Sequence, residues 1–417
     1  MNILRRSLPA ILFVVCMARC GWTQDPAPAA APKEEKPADP FAGVQPDNPG
    51  QTTSQSGWVK RFFSNNFTLK KELYFQLTTG YKVEADPPLY SRQSAGFELL
   101  KKFSTHTATI GAFDLQSRLV RRNNYIPVLN DLEGADRKGF NLEYHNAYLD
   151  LYNIFNPLLS DSSRSRNLGR FNWRTGRFYL PFGLNLQTDT HGTLLQLSNE
   201  QNFGFERDWY SGLYGSLTRS INYDVYYLLG SGYRPQFRGQ SGLLGARVSL
   251  GNRFLTERGL EGGISVMSGE RLLDPSMQAE FPGKGEESDA STIVRTFRIG
   301  IDERFTHLLW GGTASFVTEL SGGQDKPDAV FTQLHQVVFT SRSRKWGWAG
   351  QYRHFWMDSQ KLPGKTDSSL IGEITLYSQN DVAASKLRWI KFSMERQLER
   401  REGETAWLFT VQYYYYW

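Results

Sequence analysis

About sixteen times along this chain, apolar and polar residues alternate one by one for roughly ten positions. That period belongs to extended strands with two different solvents on their two faces. "LYFQLTTGY" sets Leu73, Phe75, Leu77, Thr79 and Tyr81 against Tyr74, Gln76, Thr78 and Gly80. "INYDVYYLL" sets Ile221, Tyr223, Val225, Tyr227 and Leu229 against Asn222, Asp224, Tyr226 and Leu228. "LLGARVSL" and "IVRTFRIGI" repeat the pattern, the latter with Val294 and Arg295 out of phase near its start. The segments fall near 68–82, 94–104, 106–120, 139–153, 168–180, 208–219, 221–232, 242–250, 259–269, 292–304, 308–321, 329–342, 345–357, 368–378, 386–397 and 405–417. The fourth and twelfth lose phase partway, as a β-bulge would make them do.

The last segment, "FTVQYYYYW", says which solvents are involved. Trp407, Phe409, Val411, Tyr413, Tyr415 and Trp417 share one face, which is wholly apolar or aromatic. A soluble domain rarely ends on its greasiest segment, and tyrosine and tryptophan suit a membrane–water boundary; on this segment alone the alternative is the last strand of a soluble β-sandwich. Mean hydropathy of −0.48 excludes a bundle of apolar helices. It is compatible with a barrel, in which only alternate residues meet lipid. Aromatic residues make up 14% of the chain, and Gly 38, Tyr 20 and Phe 27 favour strands and turns.

Lipid offers no hydrogen bonds, so a spanning sheet must close with no free edge. The expected fold is all-β: a transmembrane antiparallel β-barrel of about 16 strands whose last strand pairs with its first. Connection lengths agree. With a periplasmic N-terminus, the joins after odd-numbered strands face outside, and these include the three longest, 121–138, 181–207 and 270–291. The joins at 154–167 and 379–385 are longer than that parity asks.

Three parts precede or form the barrel. Residues 1–24 read as an export leader, with Arg5 and Arg6 before a short apolar core, Leu8 to Ala18. Residues 25–56 are rich in proline, alanine and charge and read as a disordered periplasmic tether. Residues 57–417 are the barrel, with "WVKRFF" either a short amphipathic element at its mouth or the lead-in to the first strand. The formal charge of +6 carries no nucleic-acid signal: 48 basic residues less Arg5, Arg6 and Arg19 leave 45 against 42 acidic. Both cysteines, Cys16 and Cys20, lie in or beside the leader, so the barrel has no thiol for a disulfide, metal or haem.

"GRFYLPFGLN", Gly176 to Asn185, resembles the segment of phosphate-selective porin O/P-type proteins in which a strand runs through Pro-Phe-Gly into a long loop. The apolar positions at every second residue back from Trp417 resemble the terminal assembly signal of bacterial outer-membrane barrels. The resemblance implies a sixteen-stranded, homotrimeric diffusion channel whose third external loop, here 181–207, folds inward to narrow the lumen. Phosphate selectivity does not follow, because the family's arginine ladder and lysine cluster have no alignable positions here.

Strand phase puts Arg118, Arg170, Arg174, Arg247, Arg298 and Arg353 on inward faces, along with Glu72, Asp114, Glu143, Asp224, Glu261 and Asp302. Charges so balanced either brace the wall or give a weak anion preference. The constriction loop carries Asp189, His191, Glu200, Glu206, Arg207 and Asp208. Phe203, Phe205, Trp209 and Tyr210 either form a stacking slide or pack the loop against the wall.

Enzyme signatures are lacking: the six histidines are scattered, and "GLYGS" puts Tyr214 where a nucleophile elbow needs serine. No metal-binding, P-loop or dinucleotide motif occurs. The expectation is a non-enzymatic porin of the bacterial outer membrane, passing small hydrophilic solutes or ions and needing no cofactor. The alternatives are a sheath around an electron-transfer partner and an outer-membrane hydrolase, for which His145 beside Glu143 is the first site to inspect. A receptor or adhesin acting through the loops 121–138 and 270–291 is a further alternative. A plugged transporter is disfavoured by the small, proline-rich N-terminal region.

Overall fold

The computed structural model describes residues 67–81, 89–104, 109–122, 139–155, 169–184, 194–195, 198–218, 220–232, 242–251, 259–272, 293–309, 311–358, 365–381, 386–399 and 406–417. The leader, the tether, "WVKRFF" and most long connections lie outside them.

Sixteen antiparallel strands close on themselves. They are β1 (Phe67–Tyr81), β2 (Leu89–Ser104), β3 (Thr109–Arg122), β4 (Gly139–Leu151), β5 (Asn172–Tyr179), β6 (Arg207–Ser216), β7 (Ile221–Leu228) and β8 (Gly242–Gly251). The circuit continues with β9 (Gly259–Leu272), β10 (Ile293–Leu309), β11 (Gly312–Asp325), β12 (Asp328–Ser341), β13 (Trp346–Asp358), β14 (Lys365–Asp381), β15 (Lys386–Glu399) and β16 (Trp407–Tyr416). Each strand pairs with its sequence neighbours, and β1 pairs with β16 from Glu72↔Tyr416 to Tyr81↔Trp407. One short helix, α1 (Ser198–Phe203), interrupts the connection between β5 and β6.

Alternation sorts the side chains as period two requires. Leu69, Leu73 and Phe75 of β1 are exposed, as are Leu244, Val248 and Leu250 of β8. Their neighbours on the other face, Glu72, Gln76, Arg247 and Ser249, are buried. The result is an apolar outer belt and a polar interior. Among the described residues no helix is long and apolar enough to cross a membrane.

The phase of β10 is unbroken: Val294 points in and Arg295 points out, so the irregularity expected there is absent. The expected bulge in β4 is present at His145, which the pairing skips between Gln116↔Asn146 and Ser117↔Tyr144. The one expected in β12 is absent, since its register runs continuously against both neighbours. β14 and β15 carry register shifts that alternation did not reveal, between Ser368 and Ser369 and between Tyr377 and Gln379.

The joins 123–138, 180–206 and 273–292 share one rim, with the turns 217–220, 310–311, 342–345 and 382–385 at the other. The join after β14 is therefore short, because that strand runs on to Asp381. Two joins depart from the rule: 326–327 is a tight turn on the long-loop rim, and 152–171 is a long connection on the turn rim.

Candidate functional site

The inner wall is built from ion pairs that step over a strand. Arg118 on β3 bonds Glu72 on β1 through both Nε and Nη2. Between them β2 presents Gly96, where a Cβ would sit 2.6 Å from Arg118 Cγ and from Glu72 Oε1, so only glycine leaves room. Arg247 on β8 reaches Asp302 on β10 at 2.6 Å, past Gly263 on β9, and also touches Glu261 at 3.3 Å. Arg271 on β9 reaches Asp325 on β11 at 2.8 Å, and Thr296 on the intervening strand bonds both partners. Arg353 on β13 lies 3.5 Å from Glu395 on β15 and donates to Ser369 of β14 at 2.7 Å. A small residue on the middle strand is the common device. Each of these four arginines is thereby paired with an acid, as burial demands.

Of the predicted inward arginines, Arg118, Arg174, Arg247, Arg298 and Arg353 all fall on inner faces, each bonded to an acid or lying beside one. Arg174 forms a two-pronged pair with Asp150 at 2.7 Å for both bonds, and its guanidinium lies over the rings of Phe178 and Tyr148. Arg170 does not belong with them: it sits in a turn before β5, where its carbonyl accepts from the Tyr223 hydroxyl. Glu72, Asp114, Glu143, Asp224, Glu261 and Asp302 are all buried inside. Alternation missed the partners Asp150, Asp325, Glu373 and Glu395, and also Arg177, Arg271 and Lys391.

The connection between β5 and β6 crosses this lined space. Its two ends meet here: Leu180 and Phe182 from the start, with Phe203 and Phe205 from the end, pack onto the inward residues Tyr210, Tyr226, Leu228, Leu243 and Met267 of β6–β9. The aromatic residues named from sequence thus pack the loop to the wall, except Trp209, which lies on the opposite face of β6. The chain then turns at Gly183, whose φ of 71° favours glycine and whose Cβ would clash with Glu319 Oε2 at 2.6 Å. Gly183 N donates to Ser265 of β9 at 3.0 Å, and Leu184 packs on Val317 and Leu334.

Farther on, the loop holds the far wall. Ser198 donates to Glu319 on β11. Asn202 Oδ1 accepts from Ser321 of β11 at 2.7 Å and from Thr332 of β12 at 3.1 Å, and its carbonyl accepts from Arg298 at 3.3 Å. Leu194 N donates to Glu373 of β14 at 3.3 Å. In a ring of sixteen strands β14 stands opposite β6, so the described residues of this connection touch opposite sides of the interior.

Of the loop charges, Asp189 and His191 lie outside the described residues, and Glu200 falls in α1. Glu206 is buried, with its carbonyl accepting from Leu180 N at 3.0 Å. Arg207 is the first residue of β6 and is buried against the Tyr179 ring. Asp208 accepts from the amides of Gly230, Ser231 and Gly232, tying the end of β7 to the start of β6.

Glu143 and His145, the pair singled out for catalysis, flank the β4 bulge. His145 Nε2 is 3.4 Å from Glu143 Oε2, and Arg92 holds the same oxygen at 3.1 Å. Nearby, β4 pairs with β5 only from Ala147↔Arg177 to Leu151↔Trp173. Where the two strands part, Arg177 closes the breach by donating to the carbonyls of Tyr144 and His145.

Known structures share this architecture. OprB of Pseudomonas putida, in its high-pH structure, is 9% identical, with a TM-score of 0.51 over 87% of this chain and 96% of that one. An anion-selective porin from Comamonas acidovorans is 9% identical, with a TM-score of 0.50 over 84% and 99%. OmpF of Salmonella typhi, in complex with daunomycin, is also 9% identical, with a TM-score of 0.50 over 84% and 97%. No family model and no curated protein matches the sequence. At such identity the likeness concerns the fold: a closed sixteen-stranded antiparallel barrel, the architecture found in these outer-membrane proteins.

Proposed function

We propose that the chain forms a passive, water-filled channel in the bacterial outer membrane, through which small hydrophilic solutes and ions diffuse. The observation that carries this reading is that the described residues of the segment 180–206 lie inside the barrel and bond β9, β11, β12 and β14. A loop fixed at both walls sets a size limit without any moving part. Arg118, Arg174, Arg247, Arg298 and Arg353 border the passage with their acids, and Asp189, Glu200, Glu206 and Arg207 belong to or adjoin the constricting segment. Neighbouring charges of opposite sign cancel at a distance, so the ion preference is weak. A slight excess for anions is the sequence-based expectation.

The finer likeness to phosphate-selective porins rests on Gly176–Asn185, the segment that turns the chain into the lumen here. An export leader at 1–24, a tether at 25–56 and assembly as a homotrimer complete the same reading. A sheath for a threaded partner is less favoured, because the loop occupies the space that partner needs. A hydrolase centred on His145 is less favoured too, since Arg92 competes for Glu143.

Planar-bilayer recording tests the proposal. The purified protein should give stepwise conductance, with a reversal potential only slightly displaced in a salt gradient. Asn202→Ala removes two of the loop's bonds to the far wall and should raise open-channel noise and mean conductance. A silent bilayer containing folded protein would sink the channel.

A further inference from the structure

The outer face carries its cations unevenly. In the half of the wall nearest the turn rim, Lys71 on β1 and Lys386 and Arg388 on β15 point outward and are exposed. Tyr413, Tyr415 and Trp417 of β16 stand between them. Lys71 and Trp417 exchange backbone bonds at 2.8 and 3.0 Å, and Arg388 opposes Tyr415. Lys386 lies one residue past the Leu387↔Tyr416 pair. The two lysines therefore flank Trp417, their Cα atoms about 10 Å apart, or two strand spacings. At the same level the outer face presents Leu250 on β8, Leu260 on β9 and Phe305 on β10. Lys101 on β2 also points outward, but it is buried and does not join the group.

Among the described residues none of these three cations forms an ion pair, whereas Arg92, Arg118, Arg247 and Lys391 on the inner face all do. A carboxylate at Trp417, counted against them, still leaves the cations in excess. The Arg388 guanidinium lies over the Tyr413 and Tyr415 rings at 5.9 and 5.7 Å, and the Tyr415 and Trp417 rings stack at 4.4 Å and 16°. That contact holds the arginine against the wall and leaves its N–H groups to an outside acceptor. Tyrosine and tryptophan mark the depth at which hydrocarbon gives way to headgroups. Long cationic side chains at that depth reach the phosphate layer.

We infer that the outer side of the seam is a binding site for an anionic phospholipid, in the leaflet that meets the turn rim. Lys71, Lys386 and Arg388 hold the phosphate, and the aromatic face of β16 carries the acyl chains. This rests on the barrel being embedded in a bilayer. A phosphate offers several acceptor oxygens, which suits two ammonium groups and a guanidinium converging from neighbouring strands. A zwitterionic headgroup would bring its own ammonium group up to three cations, so the site favours a lipid of net negative charge. A solute in the lumen is not the occupant, because these side chains lie on the other face of the wall.

Native mass spectrometry tests the inference, from neutral-detergent micelles doped equally with phosphatidylglycerol and phosphatidylcholine. The wild-type barrel should retain phosphatidylglycerol in preference. The triple variant Lys71→Gln, Lys386→Gln, Arg388→Gln should bind it about a hundredfold more weakly, roughly fivefold for each cation removed. That variant should keep the heat-dependent gel shift of a folded barrel. Replacing Arg121, Arg295 and Arg396 by glutamine removes the same charge from outward positions scattered along the other rim, and should leave retention unchanged. The inference fails if the wild type retains both lipids alike, or if the scattered set costs as much. It fails if inorganic phosphate displaces the lipid at constant ionic strength, since the cations would then hold any free anion. It fails also if lipid binds only once the acidic segment 25–56 is removed, which would make that segment the occupant. A protein that never enters the micelles would instead overturn the embedded barrel itself.

Discussion

The seam where β16 closes on β1 and the breach where β4 leaves β5 solve one problem in opposite ways. At the seam the backbone ladder is continuous from Glu72↔Tyr416 to Tyr81↔Trp407, and β15 continues it on the far side. Side chains there only add to a complete ladder. Inside, Thr78 and Thr410 bond at 2.9 Å, Trp389 donates to Gln412 at 3.3 Å, and the Trp389 and Tyr414 rings stack at 4.6 Å. At the breach the β4–β5 ladder stops at Ala147↔Arg177, and a guanidinium supplies hydrogen bonds to the carbonyls of Tyr144 and His145. A wall bounded by lipid tolerates a broken ladder only where side chains take over its hydrogen bonds.

The largest test of that contrast is at the breach. Arg177→Leu removes both bonds to the β4 carbonyls, and hydrogen bonds to a charged donor contribute about 1.5–3 kcal/mol each. A loss of roughly 3–6 kcal/mol is expected, read as a lower urea midpoint for the barrel refolded in vesicles. A loss below about 1 kcal/mol would mean that another group closes the breach. Next in size is the lipid side of the seam. Val411 lies mid-strand on the outer face and is exposed. Val411→Arg should cost about 2–4 kcal/mol in the same assay, the range for a cation near the bilayer midplane. The same change costing nothing would mean that this face does not meet hydrocarbon.

These two regions also mark what the sequence made legible. All sixteen strands were readable because period two is local: one residue to lipid and the next to water, whatever the partner strand. The inward positions of Arg118, Arg174, Arg247, Arg298 and Arg353 follow from that phase alone. Their partners do not, because Arg118 and Glu72 meet over Gly96, and Arg353 and Glu395 meet over Ser369. Such contacts depend on register between three strands, which no single segment encodes. Arg177 was invisible for a related reason: its role exists only because β4 peels away at His145. The length of the loop after β5 was legible, but its path across the lumen depends on distant contacts, Ser198 with Glu319 and Asn202 with Ser321 and Thr332. In β12, Gln333 and His335 imitate a bulge by breaking alternation. The register is intact there, so the broken alternation marks polar residues on the outer face rather than an irregular strand.

The smallest expected effect is on the inner side of the seam, and it separates ladder from side chain most finely. Thr78 and Thr410 are both buried and bond each other, and Gln76 Nε2 also donates to Thr78 at 3.1 Å. Thr410→Val therefore leaves Thr78 with a partner and should cost about 1 kcal/mol or less. Adding Thr78→Val also strands the Gln76 amide, but each single change already breaks the Thr78–Thr410 bond, so the pair should cost less than the sum of the singles. The shortfall in that double-mutant cycle measures the bond between the two hydroxyls. If Thr410→Val alone costs as much as Arg177→Leu, closure depends on side chains at the seam as well, and the distinction between the two regions falls.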